Sequence, residues 1–392
     1  MSAKLNLKSG CLSGPERGGI LFVVGAWGIG GVERVTAVLS NAFVQHGYRV
    51  VIAAFSVDDA CLLKTLDPRV RVERLSFPIR QMANLSRLQT ILKTQGIRYI
   101  INQWCLPLPV TSLLNRARRG TEARLIAVHH NIPNQNGRIN AARNSLLKMV
   151  WKVLSALSLR WVYKGSDAYV VLSKRFEAIF QTFIKLRCTP KLHTVTNPLT
   201  LPLASGGQPR ENRLLYVGRL EEVQKKVSRI IDMWGVLSAK FPDWELDIVG
   251  DGPDRARLEA QASGKERIRF YGFQEPSSFY HRSRLLLLTS DFEGFPLVLA
   301  EAMVHGCVPV VLGSYPAAYD IVRGTNGVVV APPYDGEAFV KVLADLMARP
   351  DVIRGMSETA VETVADYSVD SVMHIWQDLF RKLDGRRGDV SC

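Results

Sequence analysis

Six cysteines are scattered through 392 residues, at positions 11, 61, 105, 188, 307 and 392, and no two stand as Cys-x-x-Cys. That spacing argues against zinc ribbons and disulfide frameworks, so a reducing cytoplasm is the expected setting. No uninterrupted apolar run approaches the ~18 residues of a membrane span, and the amino-terminal stretch shows no signal-like apolar region followed by a cleavage site. Residues 1–18 read as a flexible tail. Low-complexity tracts and short-period repeats are also missing. Acidic residues are scarce in one half only. Residues 1–198 hold 28 Lys and Arg against nine Asp and Glu, a net of +19, and the remainder holds 22 against 27, a net of −5. The formal charge of +14 therefore belongs to the first half.

What is present describes a globular chain, with 47% hydrophobic and 22% charged residues. Its length suits two domains, each able to bury a core. Apolar strand patterns at 19–25, 50–55, 99–102, 125–129 and 168–172 alternate with helical ones, the rhythm of a parallel α/β domain. The rhythm returns at 213–217, 245–249, 268–271, 284–289 and 308–312, with helical stretches such as 228–240 and 255–263 between. Two Rossmann-like domains follow, 19–197 and 211–368, joined by a Pro-, Gly- and Ser-rich linker at 198–210. Residues 369–392 add a carboxyl-terminal helix, in a position to cross back to the first domain, and a tail.

The most informative stretch is Glu293-Gly-Phe-Pro-Leu-Val-Leu-Ala-Glu301. It lies between a strand pattern and a helix pattern, so both glutamates fall at a strand's carboxyl end, where open α/β sheets bind ligands. Gly294 can take backbone angles closed to other residues, and Pro296 suits the first helical position, where its missing donor would be unpaired anyway. A helix start of this kind attracts phosphate, whereas a carboxylate at its mouth repels it unless it accepts hydrogen bonds from sugar hydroxyls. Glu293 reads as that acceptor. Glu301, about one and a half turns into the helix and roughly 8 Å along it, suits a ribose. The pair matches the two ends of a nucleotide sugar.

Other constellations point the same way. Val217-Gly-Arg-Leu220 closes the first strand of the second half, and Lys225 and Lys226 follow before the next helix. A guanidinium offers a planar fork and an ammonium a mobile point charge, so Arg219 and a neighbouring lysine can together neutralise a diphosphate leaving group. The loop with Gly28, Gly30 and Gly31 has Glu33 where a dinucleotide fingerprint needs Gly. It is a poor NAD site, but its bare backbone permits close approach of a ligand, and Glu33 is as well suited to the helix dipole. His129 and His130 end a strand that faces the same cleft.

Glu-Gly-Phe-Pro with a second Glu after seven residues resembles the signature of the retaining GT-B glycosyltransferases of family four, and the likeness runs along nearly the whole chain from Gly19. The resemblance implies an α/β GT-B fold, two Rossmann-like domains facing across a cleft. It implies transfer of a sugar from a UDP- or GDP-sugar to an acceptor hydroxyl of a glycan or lipid-linked acceptor, with no cofactor. By that resemblance Glu293 contacts the donor sugar, Glu301 the ribose, and Arg219 with Lys225 the diphosphate. The family often has Gly directly after that Lys, where Lys226 stands here, which leaves the register between the two lysines open. His130 is the better match for a histidine at the reaction centre, with His129 as fallback. Gly30 and Gly31 approach the donor phosphates, Gly272 and Phe273 pack beside the base, and Gly294, Phe295, Pro296 and Leu297 complete the donor site. No Asp-x-Asp occurs, so a cation bridging the diphosphate is not expected.

Residues 143–164 set apolar side chains among Lys148, Lys152, Arg160 and Lys164, with Trp151 and Trp161 at the border. Such a helix either packs on the sheet or lies in a membrane interface. With +19 on the same half, an anionic bilayer at the inner face of the cell membrane or a lipid-phosphate acceptor is the leading partner. Two other functions compete with this reading. A GT-B nucleotide-sugar epimerase would need an acid and base around one sugar carbon, which the spacing of the two glutamates disfavours. Nucleic-acid binding would use the basic half, but neither a zinc finger nor a clear helix-turn-helix is present.

Overall fold

The computed structural model describes residues 17–28, 30–57, 63–134, 144–201 and 210–385. Two parallel sheets carry the chain. The first contains β1 (Gly19–Trp27), β2 (Arg49–Val57), β3 (Arg71–Arg74), β4 (Ile97–Asn102), β5 (Arg124–His129), β6 (Ala168–Val171) and β7 (Leu192–Thr194), in the order β3-β2-β1-β4-β5-β6-β7. The second contains β8 (Glu211–Val217), β9 (Glu245–Val249), β10 (Ile268–Phe270), β11 (Ser283–Leu288), β12 (Val308–Leu312) and β13 (Val328–Val330), in the order β10-β9-β8-β11-β12-β13. Central strands such as Leu285–Leu288 and Ile20–Val24 are buried on both faces, so they read as continuous apolar runs.

Strand order reverses between β1 and β4 in the first sheet and between β8 and β11 in the second. Such switch points leave a crevice at the carboxyl ends of the strands. The loop carrying Gly30 and Gly31 follows β1, the Arg219–Lys225 loop follows β8, and the Glu293 loop follows β11. Topology thus brings together groups that lie 260 or more residues apart along the chain.

The final helix, Val369–Gly385, buries Val372, Met373, Trp376, Leu379, Phe380 and Leu383, a single stripe at helical spacing. That stripe lies on the first half. Phe380 stacks on Tyr99 with ring centroids 3.9 Å apart and on Phe43 at 5.7 Å, and the Tyr99 hydroxyl donates to Asp384 at 2.8 Å. The chain therefore ties its end to its beginning through an aromatic cluster.

Strands β3, β7 and β13 have no counterpart in the sequence reading. All three are edge strands of three or four residues, too short to alternate visibly, and three of the four residues of β3 are charged.

Candidate active site

Between β11 and the helix Leu297–Val304 the chain turns through Thr289–Pro296. Pro296 is the N-cap of this helix, with an extended ψ of 101°, so the helix starts at Leu297 rather than at the proline. This corrects Pro296 as the expected first helical position. Glu301 then lies about 6 Å along the helix instead of 8 Å. Glu293 is 6% exposed, and its carboxylate accepts from Lys225 Nζ at 2.6 Å and from Gln224 Nε2 at 3.2 Å. The same Gln224 amide donates to Phe292 O at 3.0 Å, and Asp291 N donates to Gln224 O at 2.9 Å. The loops after β8 and β11 are therefore clasped together with a cation against Glu293.

The register question between the two lysines has a backbone answer. Lys226 sits in the left-handed region at φ 55° and caps the helix Val227–Lys240, with its ammonium 3.6 Å from Asp291. A left-handed position favours glycine, which fits the glycine that the resemblance leads one to expect there. Lys225 alone of the two reaches Glu293. Arg219 lies apart from both, 62% exposed and paired with Glu221 at 2.7 Å. Arg229 is a neighbour that sequence reasoning missed: it donates to Thr289 O at 2.8 Å and Asp291 Oδ1 at 2.6 Å, and stands over the Tyr334 ring. No motif marked it, because its partners come from another loop.

Glu301 is 1% exposed and fully partnered. Arg34, from the helix Gly31–Gln45 of the first half, forms an ion pair with it, and Thr200 and Tyr280 donate their hydroxyls to it. Neither Arg34 nor Thr200 was singled out by the sequence. Contact between the halves continues nearby. A Cβ at Gly294 would fall 1.6 Å from the His130 carbonyl oxygen, and one at Gly31 would fall 3.4 Å from the Leu297 side chain. Gly294 is required there because two backbones cross at that point.

Gly30 caps the Gly31–Gln45 helix with no side-chain hydrogen bond; Glu33 in that first turn is pushed up in pKa by burial. His130 is partly buried, with Nε2 2.6 Å from Gln103 Oε1. Burial and the neighbouring His129 hold its pKa down at about 3, so the ring is neutral. His129 points the other way, into the core, with Nδ1 3.6 Å from Cys105 Sγ and its ring against Tyr169; burial lowers its pKa to about 4. The main-chain carbonyl of His130 meets the second half at Gly294.

Three glycines stand at strand ends of the second sheet. Gly218, Gly250 and Gly272 follow β8, β9 and β10, and a Cβ at Gly250 would fall 1.9 Å from Gly218 O. Gly272 has a φ of 69°, and Phe273 beside it is 63% exposed. Phe295, expected at the donor, is instead buried against Tyr367 with ring centroids 5.3 Å apart. It packs the core under the loop because the turn at Gly294 aims it inward. Trp151 is partly buried, and Lys148, Lys152 and Trp161 are exposed. Among the described residues no cluster of His, Cys, Asp or Glu could hold a metal ion. A separate hollow of about 390 Å³, lined by Arg98, Arg118, Arg119, Arg124 and Asp384, opens at the opposite end of the first sheet.

Two family models match the chain. "Glycosyl transferases group 1" covers residues 211–349 and "Glycosyltransferase Family 4" covers residues 29–199. An uncharacterized glycosyltransferase of Haemophilus influenzae is 24% identical over 91% of this chain and 98% of its own length. The amylovoran biosynthesis glycosyltransferase AmsD of Erwinia amylovora is 22% identical over 92% and 98%. Among solved structures, TarM of S. aureus in complex with fondaparinux, α-GlcNAc-glycerol and UDP superposes with a TM-score of 0.73, covering 93% of this chain and 99% of its own at 12% identity. With a glycosyltransferase model on each half and two Rossmann-like sheets meeting at their carboxyl ends, the chain belongs to the GT-B glycosyltransferases.

Proposed function

We propose that the chain is a retaining glycosyltransferase that moves a sugar from a UDP- or GDP-sugar to an acceptor hydroxyl on a lipid-linked or cell-surface glycan. The observation that carries this reading is the Lys225–Glu293 pair at the switch point of the second sheet, beside a helix start and under the first half. Lys225 supplies a positive charge where the diphosphate leaves, and the amides at the start of the Leu297–Val304 helix supply oriented dipoles. Glu293, held by Lys225 and Gln224, accepts hydrogen bonds from donor hydroxyls. It has no free approach to a carbon as a nucleophile.

In the favoured step the acceptor oxygen bonds to the anomeric carbon on the face that the phosphate leaves. The carbon–oxygen bond to the phosphate breaks, and the departing phosphate oxygen takes the acceptor proton. Configuration is then kept without an enzymic nucleophile. Neutral His130, oriented by Gln103, offers a hydrogen bond across the cleft rather than a charge. Charge compensation by Lys225, Arg219 and helix amides makes the reaction independent of a metal ion. Glu301 reaches a ribose only after Arg34 has released it, so donor entry is coupled to separation of the halves. Arg219, exposed and mobile on its stem, swings to the diphosphate from its place beside Glu221.

AmsD, named for amylovoran biosynthesis, and the UDP held by TarM support a polysaccharide product and a uridine donor. The test is a screen of nucleotide sugars for thermal stabilisation, followed by transfer assays with the donor that stabilises. Lys225→Ala is expected to lower kcat/KM by about 10²–10³ with the fold retained. Transfer at the wild-type rate in that variant would sink the assignment.

A further inference from the structure

Burial along the helix Ser145–Gly165 is inverted. Only Leu159, Val162 and Tyr163, in its last turns, are buried. Eight of its apolar side chains are at least 45% exposed, half of the sixteen exposed large hydrophobics among the described residues. Leu146, Val150, Val153, Leu157 and Trp161 fall at i, i+4, i+7, i+11 and i+15, so they share one face, opposite the buried one. A surface helix of a globular protein turns its apolar stripe inward. This one turns it out.

We propose that this outward face docks on an anionic lipid bilayer. Charge selects that occupant. No acidic residue occurs between Glu122 and Asp167, while seven Lys and Arg do, among them Arg160 and Lys164 at the end of the stripe. A second copy docking face to face would set cations against cations with no carboxylate to meet them. Anionic headgroups meet them, and the stripe enters the acyl boundary with Trp161 at the polar border. Crossing is not involved, because no described helix is long and apolar enough to span a membrane. The docking residues also differ from those read in the sequence. Arg160 and Trp161 lie on or beside the face, whereas Lys148, Trp151 and Lys152 lie about 120–180° around the helix from its centre.

Position gives the face its use. The helix leaves the carboxyl end of β5, where His130 stands, and residues 144–150 are exposed on every side. At 21 residues the helix is about 30 Å long against about 13 Å for β6, so its exposed turns reach past the sheet on the cleft side. A bilayer held there presents lipid-linked hydroxyls at the cleft mouth. This last step rests on the transferase reading, whereas the docking itself does not.

Vesicle flotation of the full chain tests the proposal, using phosphatidylglycerol mixed with phosphatidylcholine, and phosphatidylcholine alone. The wild type is expected to float with the anionic vesicles only. Val153→Glu/Leu157→Glu, at two exposed positions, is expected to abolish flotation without changing the thermal midpoint. Arg160→Gln and Lys164→Gln are each expected to weaken it about fivefold. Absence of wild-type flotation, or equal flotation of the double Glu variant, would overturn the proposal. So would a vesicle-free dimer that the double Glu variant dissolves, since a second copy would then cover the face. Donor stabilisation measured on the same samples separates the outcomes: docking can fail while the transferase reading stands, and the reverse.

Discussion

Strand for strand the sheets correspond, β3-β2-β1-β4-β5-β6 in the first half matching β10-β9-β8-β11-β12-β13 in the second. Their charges do not. In the second half acids and bases pair internally: Asp247, fully buried on β9, is held by Arg213 at 3.1 Å and Arg282 at 2.7 Å, and Glu293 by Lys225. In the first half 28 cations face nine acids, so most have no carboxylate of their own half to meet. On the proposed function one scaffold would serve two tasks, the second half fixing its charges around one small polar ligand and the first offering its excess cations to a partner. Where the halves meet, Arg34 of the basic half takes Glu301 of the other.

Gly294→Ala attacks the seam most directly, since its Cβ would fall 1.6 Å from His130 O. Forcing the halves apart by about 1 Å is expected to cost about a hundredfold in kcat/KM, with the thermal unfolding of the second half little changed. Wild-type transfer by that variant would show that the seam is not part of the working geometry. Arg34→Ala removes the cation from a carboxylate that is 1% exposed, and denaturant unfolding should show a loss of about 2 kcal/mol. Its affinity for the nucleotide sugar is expected to rise, because Glu301 no longer has to be released. A fall in affinity would mean that Arg34 itself binds the donor.

The remaining test uses pH, and both groups that it titrates lie in the first half. His129 and His130 titrate near 4 and 3 in the folded chain and near 6.5 when unfolded. Between those values the unfolded chain binds protons that the folded chain refuses. The stability they contribute is therefore complete above about pH 6.5 and lost as pH falls towards 4, by about 1.4 kcal/mol per pH unit for each histidine. His129→Phe should flatten that slope by one histidine's share in urea unfolding at stepped pH. An unchanged slope would remove the buried neutral histidine from the account.

Much of this was legible along the chain because the physics was local. Ten strands of the two sheets show as apolar runs, and the glycine loops and the Glu293 turn show as breaks between strand and helix patterns. What stayed hidden was decided across space. Nothing beside Arg34 or Thr200 announces a carboxylate at Glu301, and nothing around Phe295 says that it turns toward Tyr367. Gln224 and Arg229 find partners only where two loops close. The helix at 145–165 shows the limit most clearly: its amphipathic pattern is visible in the residues, but which side faces water depends on the sheet it leans on.

The sequence by itself determined the two-domain α/β plan, the donor-type motif and the unequal charge of the halves, since periodicity, turn chemistry and charge are properties of neighbouring residues. Only the tertiary structure decided which lysine meets Glu293, where the His130 carbonyl meets the second half, and which face of a helix is left bare. Those choices depend on groups brought together by strand order, and strand order appears only once the sheets have formed.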